Sequence, residues 1–111
     1  MTETRARYEF VAALTRELPD HSLGAVAELA SIVIHLGAKH RRLALALCHG
    51  QLDQPDYDKR QKQVRERLTK LLGVLGIDVL FSGDPRGPTV RLKFRSGRSN
   101  TFGNDAWSVP T

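Results

Sequence analysis

Only one cysteine, Cys48, occurs in 111 residues, so no intramolecular disulfide can form and a four-cysteine zinc ribbon is excluded. Such sparing use fits a reducing cytoplasm. Long apolar runs are missing as well. The longest, around residues 29–36, is interrupted by Ser31 and His35 and falls far short of the ~18 residues a membrane span needs. No apolar segment follows the charged stretch MTETRARYEF, so no signal peptide is expected and the chain reads as soluble. Internal repeats and low-complexity tracts are absent too, which argues against a solenoid. Acidic residues are missing from one place in particular, residues 86–98.

What is present is ordinary globular usage, 41% hydrophobic and 26% charged, which argues against wholesale disorder. The length suits one domain, residues 1–111. Lys and Arg number 17 against 12 Asp and Glu, a net charge of +5 with a pI near 9.9. The excess is placed unevenly, because residues 1–50 hold 6 bases and 5 acids while residues 51–111 hold 11 and 7.

The pattern predicts three helices over residues 1–76 and a β-hairpin part over 77–110, an α+β domain. Tyr8, Val11, Leu14 and Leu18 recur at helical spacing before Pro19-Asp20. Ser22 is positioned to cap a second helix from Leu23 to about Cys48, the most apolar part of the chain and therefore its central helix. Gly37 marks a kink or a close crossing within it, and Gly50 suits the stop. Asp53 and Pro55 precede a third, amphipathic helix carrying Tyr57, Gln61, Val64, Leu68, Leu71 and Leu75. Its other sides hold six cations, a solvated face in the ordinary case.

At Ile77 the period changes to two. Val79 and Phe81 alternate with Asp78 and Leu80; then Val90, Leu92 and Phe94 alternate with Arg91, Lys93 and Arg95. The Asp84-Pro85-Arg86-Gly87 connector suits a type I turn and an antiparallel hairpin, and Ser96-Gly97-Arg98 makes another turn. A short third strand is expected within Asn100–Pro110, ending at Trp107-Ser108-Val109. The apolar strand face should pack on the second and third helices.

The candidate binding set is Arg86, Arg91, Lys93, Arg95 and Arg98. Alternation sets Arg91, Lys93 and Arg95 along one strand face at ~6.6–7 Å intervals, near the phosphate repeat of an extended strand. Outward cations on a sheet edge also block edge-to-edge aggregation, and the same charges suit an acidic protein partner. Phe102 and Trp107, just downstream, are candidates for stacking on a base, although a lone Trp more often belongs to the core or closes a sheet edge.

No catalytic or metal constellation emerges. His35, His40, Cys48 and His49 do not collect on one helix face, and Cys48 reads as a small buried thiol rather than a nucleophile. The Ser82–Gly87 loop lacks the Lys-Ser/Thr ending and following helix of a phosphate-binding loop. An Asp84–Arg86 catalytic pair is less common than a turn-stabilising Asp. No cofactor and no metal are expected, and a small enzyme is the least supported class.

The stretch GDPRGPTVRLKFRSGRSNTFGNDAWSVP, Gly83–Pro110, resembles the C-terminal signature of small uncharacterised proteins encoded by bacteriophages and prophages: GDPRG, an alternating strand, SGRxNx(F/W)G and a terminal VP. Upstream, Leu36–Ala44 and Cys48-His49-Gly50 resemble the family's RLA…CNG segment, with His49 in place of Asn. Some relatives carry a Cys-rich, zinc-ribbon-like insertion after that point. This chain has Gln51–Arg60 and no further Cys there, so no metal role carries over.

The resemblance implies a phage origin, a compact C-terminal hairpin and residence in the cytoplasm of a bacterial host, and it brings no assigned activity. The function expected is that of a non-enzymatic accessory protein that binds nucleic acid through the basic strand face. The alternative is a protein-directed, anti-CRISPR-like inhibitor of a host nucleic-acid-handling or defence complex. Expected partners are nucleic acid or an acidic host protein surface and no membrane, with homodimerisation through the apolar second helix left open.

Overall fold

Three helices lead into a three-stranded antiparallel sheet, in the order expected from the change of hydrophobic period. The computed structural model describes residues 2–83 and 86–102, with side chains over 7–83 and 86–101. Helix α1 spans Thr2–Glu17, α2 Leu23–Cys48 and α3 Gln54–Gly73; strands β1, β2 and β3 span Asp78–Ser82, Thr89–Lys93 and Ser99–Phe102.

The helix starts follow from local chemistry. Ser22 Oγ accepts from the Ala25 amide at 3.1 Å, and Asp53 Oδ1 accepts from the Asp56 amide at 2.9 Å. Each cap satisfies an amide that the first helical turn leaves without a partner, an effect of about 1 kcal/mol. Pro55 lies in the first turn of α3, where its missing N–H costs nothing. Gly50 (φ 71°) carries the chain out of α2 in the left-handed conformation. Gly37 is buried and α2 runs through it without a break.

Alternation along β2 decides what the sheet buries. Val90 and Leu92 are buried while Arg91 and Lys93 are exposed. The register pairs Val79 with Leu92, Phe81 with Val90, and Leu92 with Asn100. Val79, Phe81, Val90 and Leu92 join Phe10 and Leu14 of α1, Val33 and Ala44 of α2, and Leu68 and Leu72 of α3 in one apolar core. The strand face meets α2 and α3 through Phe81, whose ring stacks on His40 at 5.3 Å between centroids and lies 5.4 Å below the Arg65 guanidinium.

Three expectations need correction. The third strand is Ser99–Phe102, directly after the turn, because a tight hairpin returns the chain at once; Trp107-Ser108-Val109 lie outside the described residues. Cys48 is exposed rather than buried, being the last residue of α2. Arg95 does not continue the strand. The Gly97 amide donates to the Phe94 carbonyl at 3.0 Å and the Phe94 amide to the Arg98 carbonyl at 2.9 Å. These bonds close a three-residue loop with Gly97 at φ 91°, the left-handed position that such a loop assigns to glycine. No helix among the described residues is long and apolar enough to cross a membrane.

Candidate nucleic-acid interface

The outer face of the sheet is made by the residues that alternate away from the core. Register sets Asp78, Lys93 and Ser99 in one row across the strands, and Leu80, Arg91 and Thr101 in the next. All six are exposed. Ser82 and Thr89 form the third row, their hydroxyl oxygens 2.6 Å apart. Arg91 Nη2 donates to Ser99 Oγ at 3.3 Å, a contact that draws the guanidinium toward β3.

The cations singled out in the sequence distribute along the length of β2. Arg86 is exposed in the β1–β2 connection, Arg91 and Lys93 stand on the strand, and Arg95 and Arg98 are exposed around the β2–β3 turn. Arg95 leaves the stripe. Its guanidinium lies against Gly76 (φ 77°), where a Cβ would collide with Nε and Cζ. Arg98 is fixed at the turn by its amide, which donates to Ser96 Oγ at 3.3 Å. Asp84 lies outside the described residues, so the type I turn and the Asp84–Arg86 pair do too. Phe102 ends β3 opposite Val90, and Trp107 lies outside the described residues, as does any stacking role for it.

Folding changes the electrostatics in two ways that linear spacing hides. Residues 86–98 contain no acid, but the register brings Asp78 across from Lys93, and Ser96 Oγ donates to Glu17 Oε1 of α1 at 2.8 Å. The acid-free segment thus has one carboxylate beside its strand and another tied to its turn. Sheet order acts in the opposite direction. Because β2 is the central strand, Arg91 and Lys93 flank no free edge and have no edge to protect. Leu80, 49% exposed beside Arg91, adds an apolar contact that charge counting overlooked. Its outward position was legible from alternation with Val79 and Phe81.

Among the four histidines only His40 is buried. Exposed His35, Cys48 and His49 do not converge with it, and no group of three or more potential metal ligands forms among the described residues. Burial pushes the His40 imidazole down from 6.5 to about 4, and the neighbouring Arg65 charge pushes the same way. Arg65 Nε makes a long contact to His40 Nε2, 3.4 Å, of a kind only the neutral ring accepts.

Because the folded-state pKa is depressed, the unfolded chain takes up this proton first. The His40 contribution is therefore intact above pH 6.5 and is lost as the pH falls through 6.5 toward about 4. The unfolding free energy from urea titrations should fall across that window by roughly 1–3 kcal/mol, at about 1.36 kcal/mol per pKa unit before screening. His40→Phe, which keeps a ring on Phe81, should flatten the profile between pH 6.5 and 5. An unchanged slope in that variant would assign the loss to other groups.

No family model, curated protein or solved structure matches this chain.

Proposed function

We propose that this is a non-enzymatic binding protein that takes nucleic acid on the outer face of its sheet, in the phage or prophage setting suggested by its C-terminal motif. The observation that carries the reading is the exposure of Arg91 and Lys93 on the central strand, with Arg86 and Arg98 beyond its two ends. Cations on an edge strand have a ready explanation in solubility. On a central strand, with Arg91 between Leu80 and Thr101 and Lys93 between Asp78 and Ser99, they present a shallow solvent-facing surface suited to phosphates. Counterions released from a bound strand would supply most of the affinity.

The test is a salt titration of the wild-type protein against labelled single- and double-stranded probes. With four phosphates engaged, log K against log salt should have a slope near about −3 for single strands. Between about 50 and 200 mM salt that amounts to roughly a 50-fold loss of affinity. Salt-independent binding, or none at the low-salt end, would remove the reading.

A second reading rests on Leu80. An apolar side chain set among cations also suits an acidic host protein surface, as an inhibitor of a nucleic-acid-handling or defence complex would require. A stoichiometric complex recovered from nuclease-treated lysate, combined with no probe binding by the pure protein, would favour it.

A further inference from the structure

A groove of about 470 Å³ opens between α3 and the inner side of β1, with Tyr57, Gln61, Arg65 and Phe81 among its lining. Its volume is within the range of small-ligand sites, which pair apolar walls with a few placed polar groups. Tyr57 and Gln61 are buried, Phe81 is half-buried, and Arg65 is exposed. Gln61 and the Arg65–Phe81 pair set the character of this groove.

Gln61 is 2% exposed; its Nε2 donates to the His40 carbonyl at 2.9 Å and lies 3.4 Å from the Tyr57 hydroxyl. Its Oε1 is buried with no donor among the described residues. A buried acceptor in that state is unfavourable, and with almost no accessible surface it is closed to a molecule in the groove. Arg65 is held over the Phe81 ring and by its long Nε contact to His40, which leaves both Nη groups without an acceptor among the described residues. The rim acids are already engaged. Gln54 Nε2 donates to Asp58 Oδ1 at 2.9 Å, and Glu66 lies 4.0 Å from Lys62.

We propose that this groove receives one unstacked base of a single strand whose phosphates lie on Arg91 and Lys93. The inference rests on the outer-face reading and adds a specificity site to it. A base is a flat ring with apolar faces, the complement of the half-buried Phe81 ring and the Arg65 guanidinium plane. Position supports the same occupant. The row Thr101–Arg91–Leu80 crosses the sheet to β1, and the next residue of that edge strand, Phe81, lines the groove. Leu80 and Phe81 face opposite sides of β1, so a strand passes from the outer face to the groove by turning round that edge.

The test compares base-bearing and abasic strands of equal length, roughly 12 nucleotides, in both ribo- and deoxyribo-forms. The full chain should bind base-bearing strands at least about tenfold tighter than abasic ones at equal salt, the size expected from one stacked base. Arg65→Gln and Phe81→Leu should each reduce that ratio below about threefold while abasic affinity changes little. Arg65 is exposed, so Arg65→Gln carries the test if Phe81→Leu fails to fold.

Equal wild-type affinity for the two strand types, or a ratio that survives Arg65→Gln, overturns the groove assignment and leaves the outer face standing. Absence of binding to every strand at about 50 mM salt overturns both. A ratio seen with only the ribo- or deoxyribo-form identifies the strand the groove takes.

Discussion

Reversing the charge of Arg91 and Lys93 together, Arg91→Glu with Lys93→Glu, should reduce nucleic-acid affinity by more than about 100-fold at low salt. The two side chains stand on the exposed face of the central strand. Each reversal removes one phosphate contact and sets an anion against the strand, so the loss exceeds that of neutral replacement. Arg91→Gln with Lys93→Gln should cost roughly tenfold and lower the salt slope by about two phosphate equivalents.

Stability should change little, because neither side chain contributes to the core. A modest penalty, about 0.2–1 kcal/mol, is expected where Glu at position 93 faces Asp78 across the strands. Fluorescence anisotropy with a labelled oligonucleotide, run beside thermal unfolding, separates the two effects. Affinity within threefold of wild type in the double Glu variant would end the outer-face proposal and return these cations to a role in solubility.

The opposite face of the same strand should respond in the opposite way. Leu92 is fully buried between Val79 and Asn100 in the strand register and belongs to the single apolar core. Leu92→Ala removes buried methyl groups and leaves a cavity that helices and sheet close only in part, a cost of about 2–5 kcal/mol. For a domain of this size that lowers Tm by roughly 10–20 °C. The slope of unfolding free energy against urea should stay constant, since the surface exposed on unfolding hardly changes.

Below its transition the variant should bind nucleic acid within about threefold of wild type, because the spacing of Arg91 and Lys93 is set by the strand backbone. A Tm shift under about 2 °C would show that Leu92 is not packed as described. Read together, the two variants divide the sheet into a face that stabilises and a face that binds.

Much of this architecture is local and therefore legible in the chain. Ser22 and Asp53 cap helices because their side-chain oxygens reach amides three residues on, a geometry that needs no tertiary context. The change of period at Ile77 announces strands because alternate residues must face opposite sides of a pleat. Exposure of Arg91 and Lys93 beside buried Val90 and Leu92 follows from that rule alone. Arg95 escaped the same rule because the loop bonds between Phe94, Gly97 and Arg98 end the pleat one residue before it. Cys48 shows a similar limit, since helical periodicity is blind to where packing neighbours stop.

Element order, the caps and the cationic strand positions follow from the chain's local chemistry, since propensity, capping and side-chain period act over a few residues. Tertiary structure alone decided that β2 is central and that Asp78 faces Lys93, because pairing partners are chosen across long stretches of chain. It alone brought Gln61, Arg65 and Phe81 to one groove, with His40 of α2 buried against them. Those contacts depend on how helices and sheet close over a shared core, and no spacing in a linear chain encodes them.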